Sequence, residues 1–584
     1  MNITISPYLP ILLTSYAILF LSLYGWGNLV VSILKINLDS SSDRFFTTTW
    51  IGWVAILIIL QVVNIFLPLD WRASVFVYLS GVVFGGFRIV RSIRDSFRSA
   101  NFTRRDGIRA VIFFCIILLA ARWAAFTGMD AVSNYDSGLY HFNIIRWMNT
   151  YAIIPGLGDL HSRLAYNQSF FLYAASLNFF PYFPYGHVIA NSFLFLLAFA
   201  DLAWHLYGLI QHQNREKLSN IYFFVPSLCG LTIIIYISAI TNMSAPTPDT
   251  ASSIIQVILY VWFIQIIDEI RHQKFPYEKT TSLFILATCL ITVKLSNLVF
   301  VTSMMLICLF YIVPRIRQAV TERASHVRVV IFLTAIMLVW MVRGFYLSGY
   351  PVYPLAIGGL HVDWAVPVEK VKLEADSIYS WARQQGRSPS KVLANWNWFR
   401  PWLSHIYREY KEEIVYPIGL AVVFGFVTLV LAILQKKLRR VFLDLIFFVP
   451  IGAGILYWFF TAPDPRFAHA LFLLLLCSAF FILMMRLYEL TGTVFGITIN
   501  IGIFILCMLY VFPINQINLS PNFPNYPAIP TTALVEKQTD SGLKVYVPAK
   551  GDQCWDSPLP CTPYFNPALR LRIPGKIASG FTQK

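Results

Sequence analysis

Nine ionisable side chains, spread from Asp130 to Arg466, are the ones in this sequence whose types and surroundings could do chemistry. Asp130 and Asp136 stand in M-D-A-V-S-N-Y-D-S-G-L-Y-H, which ends at His141, and Arg146 follows in the same segment. Asp249 closes the turn T-N-M-S-A-P-T-P-D, and Lys294 separates two apolar runs in V-K-L-S-N. Arg343 follows W-M-V, and Asp464 and Arg466 share the proline-framed T-A-P-D-P-R. Cations of this kind bind phosphate, Arg through paired N–H donors and Lys as a point charge. A carboxylate beside them can take the proton of a hydroxyl as general base. A phosphate leaving a sugar carbon needs its developing charge neutralised, which the same cations supply. Asp136 and Asp130 are therefore the candidate bases. His141, Arg146, Asp249, Lys294, Arg343, Asp464 and Arg466 are the candidate substrate ligands, and the substrate they suit is a lipid-linked phosphate lying at the membrane interface.

Each residue also has an ordinary explanation. Asp136 before S-G-L-Y-H suits a helix cap, and Asp249 after Pro246 and Pro248 suits an N-cap. Lys294 could be a snorkelling lysine, and Asp464 with Arg466 a local ion pair in a rigid turn. Asp201 and His205, one helical turn apart, read as a structural pair inside the bundle, and Asp444 as a cap compatible with the helix dipole. What favours chemistry is that the nine candidates share one side of the membrane, as the elements that carry them indicate.

The chain has 584 residues, 57% hydrophobic and only 13% charged, whereas soluble domains carry about 25% charged residues. Apolar runs long enough to cross the hydrocarbon core recur along nearly its whole length. They fall near 9–34, 47–67, 73–90, 109–127, 188–210, 220–240, 251–267, 281–293, 297–313, 328–342, 416–435, 441–460, 468–485 and 493–512. Continuous runs rather than alternation choose helices over a barrel. The expected class is thus an all-α polytopic membrane protein, a multi-span helical bundle with loop helices and a small β-rich C-terminal tail. The net charge of +16 reflects topology and not nucleic-acid binding, because Lys and Arg crowd alternate loops. These are the segments at Arg88–Arg109, Arg215–Lys217, Arg271–Lys279, Arg315–Arg328 and Lys436–Arg440. Cytoplasmic loops collect such residues, and assigning all of them inside leaves both termini outside.

The long polar segments then lie on the extracytoplasmic face: 128–187, 241–250, the Lys294 turn, 343–415, 461–467 and the tail from 513. Tyr140, Ile144, Trp147, Met148 and Tyr151 recur at helical spacing, predicting a surface-lying helix over 139–151 with a second over 167–180. Residues 368–385 read as an amphipathic helix ended by Gly386, and N-W-N-W-F-R-P-W at 395–402 offers rings for sugar stacking or for interfacial anchoring. The tail alternates over 541–575, with Cys554 and Cys561 as candidates for one disulfide. The other six cysteines, Cys115, Cys229, Cys289, Cys308, Cys477 and Cys507, lie in apolar runs and read as packing residues. No Lys or Arg precedes Lys35, and no small-residue cleavage site follows a short apolar core, so a cleaved signal peptide is not expected. No internal repeat is visible.

An acidic residue just after a span, two surface helices in the first large outer loop, and a multi-span bundle with basic residues at its outer ends together form a recognisable pattern. It resembles the GT-C superfamily of membrane glycosyltransferases, including protein O-mannosyltransferases and the transferases that decorate lipid A. The likeness covers about residues 109–512, leaving 1–108 as added N-terminal helices and 513–584 as an extracytoplasmic tail. It implies inverting transfer of a sugar from a polyprenyl-phosphate donor to a glycan, lipid or protein acceptor, with the loop carboxylate as base. It also implies a multi-pass protein of the bacterial plasma membrane, with its active face extracytoplasmic and membrane lipids around it. The family often shows an adjacent acidic pair where this chain has aspartates six apart, which leaves open the choice of base. No cofactor is assigned, and a divalent cation stays open. Two other functions remain: a transporter or flippase for a lipid-linked glycan, and a glycan polymerase or ligase of another fold.

Overall fold

Inside a bilayer no water is available to backbone N–H and C=O groups, so each apolar run must close its hydrogen bonds within itself. In the computed structural model they do so as helices. The structure describes residues 8–38, 44–99, 104–211, 219–274, 276–316, 323–491, 502 and 525–583. Four long helices come first: α1 (Tyr8–Leu34), α2 (Arg44–Phe66), α3 (Trp71–Ser99) and α4 (Arg104–Gly128). A loop insertion follows, with α5 (Phe142–Thr150), the single turn α6 (Leu157–Leu160) and α7 (Phe170–Ser176). Then come α8 (Gly186–Gln211), α9 (Ser219–Ile240), α10 (Pro248–Arg271), α11 (Tyr277–Val293), α12 (Leu298–Ile316) and α13 (Arg323–Ser348). A second insertion holds α14 (Val368–Arg383), α15 (Pro389–Val392) and α16 (Phe399–Glu409). The chain continues through α17 (Tyr416–Leu434), the pair α18 (Leu438–Asp444) and α19 (Val449–Thr461), the turn α20 (Pro465–Ala468), and α21 (Leu471–Thr491). Among the described residues 10 helices are long and apolar enough to cross a membrane. The chain is an all-α, multi-pass integral membrane protein.

α10 is the central helix, with its whole apolar stretch buried. Around it the helices approach closely where side chains are smallest, the usual means by which membrane helices gain packing contacts. A Cβ on Gly27 would stand 1.8 Å from the Thr48 carbonyl oxygen, and one on Gly52 1.7 Å from that of Leu23, so α1 and α2 meet backbone to backbone. α1 and α2 also share their core with the rest of the bundle. Trp50 is fully buried and its indole N–H donates to Asp201 on α8 at 3.0 Å. His205 Nδ1 stands 3.5 Å from the same carboxylate.

Several elements differ from expectation. The run 441–460 is two helices bent by 52°, because the 3-10 turn Leu445–Phe447 and Pro450 interrupt it. Asp444 is not a simple cap: it binds Arg271 at 2.7 Å and also Arg486, tying α10, α18 and α21 together. The helix expected at 139–151 is present, running through the π turn Ser137–His141 into α5, whereas the one expected at 167–180 is shortened to α7; neither lies open. The π turn with His141, α5 with Asn143 and Asn149, and α7 are buried on nearly every side, because neighbouring helices cover them and the tail covers α5. The expected span 493–512, with Cys507, lies outside the described residues apart from 502. The tail forms two small antiparallel pairs, β1 (Leu534–Gln538) with β2 (Lys544–Pro548) and β3 (Arg570–Leu571) with β4 (Phe581–Thr582). Cys554 and Cys561 are joined as a disulfide.

The two insertions, the tail and the turns 241–247, 294–297 and 462–470 gather on one face, hereafter the loop face. Ser133 N–H donates to Asn242, Trp402 to the Pro463 carbonyl and Phe581 N–H to the Pro155 carbonyl. Replacing Gly52 by Ala should force α1 from α2, at about 1–3 kcal/mol for overpacking. A lowered melting temperature of the purified protein in detergent is the expected result, and an unchanged one contradicts the close crossing.

Candidate functional site

Three turns converge over the loop-face end of α10. Thr247 caps that helix by accepting the Asp249 N–H at 3.3 Å, so Asp249 lies in the first turn and is not itself the cap. Two turns further along the same helix face, Gln256 is 1% exposed. Its amide donates to Asn297 at 2.8 Å and its oxygen accepts the Ala470 N–H at 3.1 Å. Asn297, wholly buried, returns bonds to Ser252 at 3.1 Å and to the Lys294 carbonyl at 2.9 Å. One buried amide thus fixes the turn that breaks α11 from α12 and the turn that opens α21.

These turns carry charge. Lys294, extended between the two helices, pairs with Asp249 and lies 4.1 Å from the centre of the Phe467 ring. Arg466 lies 5.4 Å from the same ring. Asp464 caps α20 by accepting the Arg466 N–H at 3.0 Å, and it also takes Arg466 Nε at 3.2 Å and Nη2 at 3.3 Å. Arg466 Nη1 donates to Asp136 Oδ2 at 3.0 Å. The other oxygen of Asp136 faces Arg163 at 3.5 Å, and Arg163 Nε faces Glu374 at 3.8 Å. Glu374 also accepts from Ser162 at 2.6 Å and from Tyr166. A line of alternating charge therefore runs Asp464–Arg466–Asp136–Arg163–Glu374, with Asp249–Lys294 beside it. Burial opposes the charge on Arg466, but Asp464, Asp136 and Asp249 overcome that and raise its pKa above the ordinary guanidinium value.

His141 lies within this field. Burial holds its pKa down at about 4, with Asp136 and Asp249 pulling it up and Lys294 and Arg466 pushing it down. Burial likewise holds His469 at about 3, Lys294 adding to the effect. His469 takes a positive φ of 52° with ψ −124°, outside the left-handed helical region, and its Nε2 is 3.0 Å from Ser296 Oγ. Such a conformation is unusual away from Gly and marks a tightly determined turn.

Of the nine candidates from the sequence, Asp136, His141, Asp249, Lys294, Asp464 and Arg466 come together. Asp130 does not: it is exposed just beyond α4 and makes no side-chain contact with the network. Arg146 turns to the tail, bonding Asp556 at 3.3 Å and lying over Phe180. Arg343 is 1% exposed and points between helices, its Nη1 3.5 Å from the Gln61 carbonyl on α2. It ends a span on the loop face as expected, but on the side of α13 that meets α2. Arg163, Glu374 and His469 join the network without having been singled out. Arg163 carried the same signal as Lys294, a cation on the side that positive charge avoids. Glu374 is one of several charges on an amphipathic helix, with nothing in its surroundings to distinguish it.

The tail grips the Asp136 segment. Asp552 accepts from Tyr135, and Gln553 donates to the Tyr135 carbonyl at 2.9 Å. Trp555 N–H donates to the Gly138 carbonyl at 2.8 Å. A Cβ on Gly138 would stand 2.5 Å from the Trp555 ring, so only glycine admits this contact. The loop presenting Trp555 is the one closed by Cys554 and Cys561. Among the described residues no group of three or more His, Cys, Asp or Glu is arranged to hold a metal ion; the carboxylates here face the protein's own cations instead.

Fold and site thus define a multi-pass membrane protein with a charge network on one face. The Domain of unknown function family (DUF8201) matches residues 10–474, and the chain belongs to it. That match takes in the first helices and every member of the charge network, and it ends before the tail. No curated protein matches the chain, and no solved structure does.

Two outcomes follow from this geometry. Gln256→Leu strands the Asn297 Oδ1 acceptor and the Ala470 N–H in the interior, at about 1–3 kcal/mol for each; a lower melting temperature is expected, and an unchanged one contradicts the shared amide. Burial also depresses His161 to about 3, with Arg163 adding to it. The folded pKa values of His141, His161 and His469 all lie below the unfolded value of about 6.5, so the unfolded chain takes up protons first as pH falls. The stability they protect is complete above about pH 6.5 and is lost progressively below it. Melting temperature should fall from about pH 6.5 to about pH 4, less steeply in His161→Gln; equal slopes contradict a buried neutral His161.

Proposed function

We propose that this chain is a membrane glycosyltransferase of GT-C type. It moves a sugar from a polyprenyl-phosphate donor to an acceptor at the loop face, which is the extracytoplasmic face of a bacterial plasma membrane. The observation that carries this reading is the sharing of Arg466 between Asp464 and Asp136, with Lys294 against the same Phe467 ring. Every cation of the network is held by a carboxylate, at the depth where helices end and a lipid phosphate lies.

A donor phosphate is a stronger partner for Arg466 and Lys294 than a monoanionic carboxylate, and bidentate geometry suits Arg to it. Once Arg466 turns to the phosphate, Oδ2 of Asp136 is free to accept a proton. The acceptor hydroxyl then attacks the anomeric carbon as its proton passes to Asp136. The new C–O bond forms on the face opposite the one that breaks, and configuration inverts. The lipid phosphate leaves with the bonding electron pair, and Arg466 and Lys294 meet its charge. Buried neutral His141 and His469 add no competing charge around the phosphate. The bent pair α18–α19 favours the transporter reading, since transporters build midplane sites from broken helices. Here the shared-ion network of Asp136, Asp249, Lys294, Asp464 and Arg466 stands at helix ends on the loop face instead.

Binding of a polyprenyl phosphate to the purified chain, measured by native mass spectrometry, tests this. Arg466→Gln should weaken it by about tenfold or more. Asp136→Asn should strengthen it, because a competitor for Arg466 is removed, while transfer falls by about 10²–10⁴. No retention of the lipid by the unaltered chain, or equal retention by Arg466→Gln, contradicts the proposal.

A further inference from the structure

A groove of about 180 Å³ opens beside the charge network, between the C-terminal end of α14, the helix α16 and the Asp464 turn. Trp381 offers a half-exposed ring to it. Gln384, Gln385, His405 and Tyr410 supply polar groups, and Asp464, the residue that holds Arg466, forms part of its wall. The side chains of Gln384, Gln385 and His405 make no hydrogen bond among the described residues. The local fold explains why they are left open. α14 ends at Arg383, and Gly386 turns the chain away at φ 73°. The Arg383 guanidinium is spent on the Thr461 carbonyl at 2.6 Å, the Phe460 carbonyl at 2.8 Å and the Trp398 ring. Arg383 therefore pins the groove to the end of α19 without offering charge to a ligand.

We infer that this groove binds a saccharide and that it is the acceptor subsite, an assignment that rests on the transferase reading. The ligand class follows from the lining. An aromatic face pairs with the C–H face of a pyranose ring, and amides, imidazole and phenol pair with its rim of hydroxyls. A lipid tail would leave those polar groups unpaired, at the cost that buried unpaired donors carry. A phosphate would meet Asp464 and no uncommitted guanidinium. The volume is below the roughly 300–1,000 Å³ of pockets for drug-sized ligands and suits a single sugar ring, with the rest of a glycan extending into solvent. Asp464 belongs to both groove and network, so occupancy here sets an acceptor hydroxyl beside the cations that hold the donor.

The test applies purified full-length chain in lipid nanodiscs to an array of neutral and acidic oligosaccharides. Binding is measured with and without saturating polyprenyl phosphate. The unaltered chain should bind a subset of glycans. Trp381→Ala and the double variant Gln384→Ala, His405→Ala should each lose about tenfold, while keeping the unaltered melting temperature and polyprenyl-phosphate binding. Glycan binding should survive polyprenyl phosphate, because the two ligands occupy adjoining places. A blank array, a Trp381→Ala signal equal to the unaltered one, or displacement of glycan by the lipid phosphate overturns the assignment. A Trp381→Ala effect confined to reconstitution yield, which would make the ring a membrane anchor, also overturns it. Glycan binding sensitive to Trp381, in a chain that retains no polyprenyl phosphate, refutes the transferase reading and leaves a carbohydrate site.

Discussion

The buried amide of Gln256 is the interaction on which the arrangement of the loop face depends. In a low-dielectric interior, an amide that loses a partner is far more costly than one exposed to water. Gln256 has two partners, and they come from two different turns, at Asn297 and Ala470. Neither turn can shift without stranding a donor or acceptor in the bundle. Asp249, on the same face of the same helix, is thereby held at a fixed offset from Lys294 and from the segment bearing Asp464 and Arg466. Polar bonds inside the bundle thus set the positions of charges above it.

Those charges are balanced in a way that invites exchange. Paired ions at a partly exposed interface gain little net free energy, because solvent competes for both. Arg466 nevertheless contacts two carboxylates, and Asp136 faces two guanidinium groups. A line of ions with shared members can rearrange by small side-chain rotations, trading one partner for another without exposing an uncompensated charge. The opposite face differs in this respect. There Arg271 and Arg486 close on Asp444, and Lys437 and Arg440 on Glu489, which clasps helix ends together. The same ionic chemistry serves cohesion on one face and, in the proposed function, ligand exchange on the other.

Much of this was legible from the residue order, and the parts that were not have physical causes. Apolar runs report helices because the bilayer allows few alternatives, so the long helices lie close to where hydropathy puts them, whereas the short α6, α15, α16 and α20 belong to no apolar run. Charges on the side that positive residues avoid drew attention to Lys294 and Arg466, and both lie in the network. The same rule also drew in Arg343, which stands at the right depth. It fails for the choice of helix face, since hydropathy reports depth and not azimuth. The burial of α5 and α7 was invisible because their cover is remote in sequence: Trp555, Asp556 and Phe581 of the tail lie on α5, and α2 and α8 pack on α7, and no local pattern announces such contacts. Glu374 was missed for a related reason: its partners Arg163 and Tyr166 are remote in sequence, and its own helix reads as plain amphipathic surface. Gly138 carried no signal of its own in the sequence, and its role is to admit the Trp555 ring.

In the proposed function, Arg466 and Lys294 release their carboxylates to hold the phosphate of a lipid-linked donor. A cryo-electron microscopy map of the full-length chain with bound polyprenyl phosphate addresses it directly. The expected map has headgroup density between Arg466 and Lys294, with Arg466 turned away from Asp136. Headgroup density on the opposite face, or an unbroken Arg466–Asp136 contact beside a phosphate bound elsewhere, would contradict the claim.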